Sequence, residues 1–299
     1  MRAVARVIFE LLAALLGIYT LVFVAFAVLP VDPARAVLGP NASVEAVDRL
    51  KREFGLDRPL PVRYFLSLRQ MASGEFGESF YFRRPAGAVV WELAPVTLVR
   101  TGAALLLGIL AGSLLGRFGG GAGARILRSA FVFLQSVPSF CLMLLMLWAA
   151  SRLLSLTPLR SPGLYSALAV IGAAAYPTGA IGIFVLDRIS PTGASPRHIE
   201  FLRMLHAPRA YILKTRWIES FPGALMIAIN AVGIALTGVA FGEFIFGIKG
   251  FGVVFFRSCE RGDLSVVIAG TLLLSLVVLV IQRVGDAVLG TIDPRIRCE

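Results

Sequence analysis

Six apolar runs divide this chain, at about 7–29, 95–115, 129–150, 164–186, 223–246 and 264–281. Each approaches the roughly 20 residues that carry a helix across the hydrocarbon of a bilayer. Such a run has few structural options. Hydrocarbon offers no partner to a free backbone amide or carbonyl, so a spanning segment closes its hydrogen bonds internally as a helix, or with neighbours in a closed barrel. Barrel strands alternate apolar and polar residues, and these runs do not. The expectation is an all-α integral membrane protein with six transmembrane helices. The apolar share, 57% of 299 residues, exceeds the roughly 45–50% of a soluble domain and agrees.

The net charge of +11 raises nucleic acid as a partner, but the basic residues neither cluster on one soluble segment nor alternate with aromatic platforms, so none is expected. They follow the membrane instead. With the N-terminus inside, the short inner segments hold Arg2 and Arg6, then Arg117, Arg125 and Arg128, then Arg188, Arg197, Arg203, Arg209, Lys214 and Arg216, then Arg295 and Arg297. The short outer loops hold Arg152 and Arg160, then Lys249, Arg257 and Arg261. This bias places both termini in the cytoplasm. The long segment 30–94 is left out of the count, because long loops translocate largely regardless of charge. Residues 7–29 exceed the 7–15 residues of a signal-peptide core and end without a small-residue cleavage site, so they are expected to remain as a first span. The expected organisation is 1–29 as N-terminus and first span, 30–94 as an outer helical module, and 95–299 as a five-helix core with an inner loop at 187–222.

Cys141 lies in a span, Cys259 in an outer loop and Cys298 in the inner tail, too far apart in this topology to form a disulfide framework or metal cluster. His198 and His206, eight residues apart in one loop, read as solvated surface rather than a ligand set. No G-x-x-x-x-G-K-[ST], H-E-x-x-H or G-x-S-x-G occurs, so no phosphate cradle or common hydrolase centre is present and no enzyme is expected.

Residues 50–80 are too polar to span. Ser43 caps a first helix with Glu45 in its first turn, a stripe of Val44, Val47, Leu50 and Phe54, and Gly55 at its end. Pro59 and Pro61 open a second helix through Tyr64, Leu66 and Leu68 that stops at Gly74. Residues 190–225 hold two further helical patterns. One covers about 196–206 with Ile199, Leu202 and Leu205 on one side, and the other runs from Pro208 with Tyr211, Ile212 and Trp217. Periodicity leaves two readings open for this hairpin: an interfacial helix on anionic lipid, suited to Arg203, Arg209, Lys214 and Arg216, or a surface that docks protein. Glu243, late in the fifth run, is expensive in a membrane, so it either lines a pathway or is satisfied by a neighbouring helix.

The string FGLDRPLPVRYF followed by GEFGESF resembles the outer loop of the first, long-looped permease subunit of oligopeptide, dipeptide and nickel ABC importers. FLRMLHAPRAYIL resembles that family's cytoplasmic coupling loop, with Arg203 and Leu205 at typical positions and Pro222 at its closing proline. The usual turn glycine is missing, and His206-Ala207-Pro208 occupies the turn. GVAFGEFIFGIKGFGVVFFRSCERGDLSVV resembles the family's last outer turn, with Glu243, Gly250-Phe251-Gly252 and Arg261-Gly262-Asp263 in place. Ile292-Asp293-Pro294-Arg295 resembles its ending.

The resemblance implies a permease of the type I importer kind in the inner membrane, forming half of a translocation pathway for peptides or a related solute such as a nickel chelate. Its partners would be a homologous second permease, two cytoplasmic ATPase subunits and an external solute-binding protein. ATP and magnesium would sit on the ATPases, and this chain would bind no cofactor or metal. Glu200, Phe201, Leu202, Arg203, Met204, Leu205, His206, Ala207 and Pro208 would form the ATPase-coupling element. The rival class is an ion-coupled secondary transporter, expected to show broken midplane helices and partnered intramembrane ionisable residues, whereas the apolar runs here hold few charges, with Glu10, Arg100 and Glu243 near span ends.

Overall fold

The computed structural model describes residues 2–28, 33–39, 41–117, 121–153, 161–188 and 197–292. Its helices are α1 (Arg2–Val28), α2 (Pro33–Leu38), α3 (Val44–Glu53), α4 (Leu60–Ala72), α5 (Ala86–Gly116), α6 (Gly121–Ser136), α7 (Ser139–Leu153), α8 (Pro162–Arg188), α9 (Arg197–Met204), α10 (Arg209–Phe246), α11 (Phe251–Arg261) and α12 (Leu264–Ile292). Strands β1 (Glu78–Ser79) and β2 (Arg84–Pro85) form one short antiparallel pair, with Glu78 opposite Pro85. Among the described residues, five helices are long and apolar enough to cross a membrane, or six if the bent pair α6–α7 is one span.

The chain divides into two compact units, Met1–Val96 with Lys249–Leu279, and Thr97–Ile248 with Val280–Glu299. In the first, local signals set the short helices. Ser43 accepts the Ala46 amide at 3.3 Å to start α3, and Gly55 takes φ 63° just beyond its end. Pro59 precedes α4, and Gly74 follows it at φ 81°. Val47 and Leu50 are buried with Ala34, whereas Val44 of the expected stripe is exposed. Tyr19 and Phe23 of α1 pack with Ile268 and Leu272 of α12, flanked by Tyr64 and Leu68 of α4. The Tyr19 hydroxyl donates to the Tyr64 carbonyl at 2.8 Å, so the polar tip of a buried ring is satisfied.

Two sequence motifs meet in this unit. Ser79 and Asp263 are both fully buried, and the Ser79 hydroxyl donates to the Asp263 carboxylate while accepting the Phe82 amide at 2.9 Å. Burial pushes the Asp263 carboxyl above its usual range, opposed by the Ser79 bond and by the Val266 and Tyr81 amides. The Arg261 guanidinium lies 3.8 Å from the centre of the Tyr81 ring, a cation–π contact on the same junction.

The second unit is built on glycine-mediated close approach. Gly108, Gly112 and Gly116 fall four residues apart on one face of α5, against Pro177, Thr178, Gly182 and Val185 of α8. A Cβ at Gly112 would stand 2.7 Å from the Thr178 carbonyl oxygen and 2.9 Å from the Gly182 nitrogen. Gly179 and Gly182 in turn meet Phe131 and Gln135 of α6. Small residues at this spacing let membrane helices approach closely enough for dispersion to hold them.

The sixth run continues to Ile292, and three other spans depart further from their expected form. The third run is two helices that meet at 99°. Pro138 has no N–H and disfavours the α conformation at Val137, so α6 closes on the Val137 amide bonded to the Phe133 carbonyl and α7 starts afresh. The fifth run is the end of a continuous helix of 38 residues that passes through Pro222. Only one internal hydrogen bond is lost there, and packing against α8, where Gly223 abuts Phe184, holds the helix on both sides. The second run likewise begins earlier, at Ala86, through Pro95. The 190–196 stretch, the Asp293-Pro294-Arg295-Ile296-Arg297 ending and Cys298 lie outside the described residues.

Candidate functional site

The hairpin of α9 and α10 forms, with Ile199 buried and Leu202 half-buried, but Leu205 of the expected stripe lies just past the end of α9 and is exposed. Its opposite side is apolar and open: Phe201, Met204 and Leu205 are 58%, 71% and 61% exposed. Glu200, Arg203, His206 and Pro208 are also exposed, and Ala207 is half-buried. The turn itself answers the missing glycine. His206 adopts φ 53°, the left-handed region, where histidine is more tolerated than most side chains. Its amide donates to the Arg203 carbonyl at 3.0 Å and the Ala207 amide to the Leu202 carbonyl at 3.1 Å, the paired bonds of a Schellman ending. Pro208 then opens α10. The side chains of Arg197, His198 and Arg209 lie outside the described set.

His206→Gly is therefore expected to leave the hairpin intact, raising stability by up to about 1 kcal/mol because the left-handed conformation is free of Cβ strain. His206→Val is expected to lower it by about 1–2 kcal/mol, since a β-branched residue is a genuine outlier there. Thermal unfolding of the purified protein checks both; equal midpoints for the two variants would contradict this account of the turn.

Glu243 is fully buried in a polar junction between α10, α5 and α8. The Thr97 hydroxyl donates to its carboxylate at 2.8 Å, and Arg100 Nη1 donates at 2.6 Å. Arg100 Nε reaches the Ser166 hydroxyl at 3.0 Å. This geometry satisfies the carboxylate within the chain. Nothing local in the sequence ties Arg100 to Glu243, a residue 143 positions away.

The same unit holds a groove of about 440 Å³ lined by Gln135, Tyr176, Phe184, Asp187, Ile227 and Asn230, among others. None of these was singled out from sequence. The available signal was uncharged but polar: a glutamine, a tyrosine and an asparagine inside apolar runs. Asp187 is taken by Arg128 at 2.6 Å, and the Arg188 guanidinium lies 5.9 Å from the Phe184 ring centre.

Comparison with known proteins gives the wider frame. Residues 104–297 match the family model of the binding-protein-dependent transport system inner membrane component. Residues 1–80 match the N-terminal model of the membrane component of such systems. The chain is similar to the dipeptide transport system permease protein DppB of Lactococcus lactis subsp. cremoris, 28% identical over 95% of this chain and 96% of the relative. It is similar to the DppB of Alkalihalophilus pseudofirmus at 25%, over 96% of each chain. It also resembles the glutathione transport system permease protein GsiC of Salmonella paratyphi A at 26%, again over 96% of each. With a model covering well over half its length and a second covering its N-terminal part, the chain belongs to the family of binding-protein-dependent transport system inner membrane components, as a multi-pass permease subunit.

Proposed function

We propose that this permease forms half of an ATP-driven importer for peptides, with a homologous second permease, two cytoplasmic ATPases that carry ATP and magnesium, and an external solute-binding protein. The observation that carries the coupling role is the exposed apolar tip of Phe201, Met204 and Leu205 beside a stiff Schellman turn. Three large apolar side chains in open water are unfavourable unless a partner covers them. A pocket on an ATPase subunit would bury them as anchors, while Arg203 would sit on the rim. The peptide assignment is supported by relatives whose names give dipeptide and glutathione as solutes. Both termini and the α9–α10 hairpin face the cytoplasm, as the distribution of basic residues favours, and segment 30–94 faces out. ATPase closure would reach the spans as a rigid shift of the hairpin. The chain itself does no covalent chemistry.

A single-cysteine reporter tests side and docking together, with the native cysteines replaced by serine. Leu205→Cys is expected to resist an impermeant thiol reagent in intact cells and to react in inside-out vesicles. It should be shielded again when the ATPase is added back, while Lys51→Cys reacts from outside. In the complete importer, Phe201→Ala and Leu205→Ala should each weaken ATPase docking about tenfold or more, as truncation of a buried anchor does. Labelling of Leu205→Cys from outside would overturn the topology, and unchanged ATPase docking in both alanine variants would favour a hairpin that rests on lipid.

A further inference from the structure

The groove between α6, α8 and α10 holds three polar side chains where a membrane protein can least accommodate them. Tyr176 sits midway along α8, Asn230 lies within the apolar stretch of α10, and Gln135 lies just before the α6–α7 break. Gln135 and Asn230 are exposed and Tyr176 is half-buried. Among the described residues, none of the three side chains has a hydrogen-bond partner, whereas Glu243, Arg100 and Thr97 in the same unit are paired. Facing lipid, an unpaired amide would be strongly unfavourable. Such groups persist where they line a water-filled or solute-filled passage, and a broken helix at membrane depth belongs in the same setting.

The geometry points to this groove as the solute-contacting wall, with Gln135, Asn230 and Tyr176 as the groups that hydrogen-bond a passing peptide backbone. The assignment rests on the importer reading above and adds the residues and the mode of recognition. Each primary amide offers both a donor pair and an acceptor, and the tyrosine hydroxyl offers both. That inventory matches the N–H and C=O of a peptide bond whatever side chains the peptide carries. The groove offers it no unpaired fixed charge at its polar stations: Asp187 is held by Arg128, and Arg188 lies toward Phe184. Tyr176, Ala180, Phe184 and Asp187 follow one face of α8, turned away from the Thr178, Gly182 and Val185 side that meets α5 and next to Gly179, which meets Gln135 of α6. Neutral amide contacts are individually weak after exchange with water, which suits a wall that must release what it holds.

The test uses the complete importer, with both permeases, the ATPases and the binding protein, in proteoliposomes, and radiolabelled trialanine as the probe. Asn230→Leu and Gln135→Leu are expected to lower trialanine uptake at least tenfold each. Assembly with the second permease and stimulation of ATP hydrolysis by the loaded binding protein should stay within twofold of the parent. In the native-cysteine-free background, Asn230→Cys should react with a water-soluble methanethiosulfonate, more slowly when trialanine and ATP are present. Uptake within twofold of the parent in both leucine variants would overturn the assignment. So would loss of the second permease from the purified complex, which would make these amides subunit contacts. Failure of the unaltered importer to take up any peptide would overturn the peptide reading itself, an outcome distinct from a defect seen only in the variants.

Discussion

Arg100→Leu is expected to eliminate most of the folded permease, because it takes the charged donor away from the fully buried Glu243 carboxylate, which the Thr97 hydroxyl also bonds. Removing one member of a buried ion pair typically costs about 3–5 kcal/mol, a large share of the roughly 5–15 kcal/mol that holds a typical domain folded. The double variant Arg100→Leu with Glu243→Leu should recover much of the loss, since replacing both partners by apolar groups is often close to neutral. The yield of monodisperse protein after detergent extraction, with thermal midpoints for both single variants and the double, closes the cycle. A double variant no better than Arg100→Leu would show that the pair is not coupled, and an Arg100→Leu protein as stable as the parent would refute the junction altogether.

A second large effect is expected at Gly112. The atoms that a Cβ would strike are backbone atoms of α8, the Thr178 carbonyl oxygen at 2.7 Å and the Gly182 nitrogen at 2.9 Å, and backbone cannot swing aside as a side-chain end can. Gly112→Leu must part the two helices, beyond the roughly 1–3 kcal/mol typical of overpacking, so no stable monomeric fold is expected. Gly102 on the same helix is the control. Nothing lies within 4 Å of its added Cβ, so Gly102→Leu should be neutral or stabilise by up to about 1 kcal/mol through helix propensity. Equal yields of the two variants in the membrane fraction would disprove the close approach.

What the sequence disclosed follows the range of the forces involved. Ser43, Gly55, Pro59 and Gly74 punctuate helices through their own backbone geometry, and each boundary falls where it was expected. The break at Pro138 uses an equally local signal, yet continuous apolarity on both sides masked it, because hydropathy reports the environment of a run and not its direction. At Pro222 the local rule failed in the other direction: packing against α8 carries α10 through a residue that would stop an isolated helix. The cost of Glu243 was legible from its position, but its partners were not, since a hydrogen bond to Thr97 crosses 146 positions. The four-residue glycine spacing of α5 was available in the sequence and went unread. So did the amides of the groove, which carry no charge to draw attention. The missing turn glycine was correctly seen as a departure, and only the backbone angle of His206 shows how the chain makes the turn without it.

The unbroken course of α10 has a mechanical meaning. The helix joins the His206 turn at one end, Asn230 along its length and the Glu243 junction near the other end. At 1.5 Å per residue, Arg209 stands about 50 Å and Asn230 about 20 Å from Glu243. If the buried junction is the fulcrum, a rocking of about 5° displaces the turn by about 4 Å but the groove by under about 2 Å. The helix is then a reducing lever. A broad stroke at the turn becomes a fine adjustment at the amides, comparable to the difference between a made and a broken hydrogen bond.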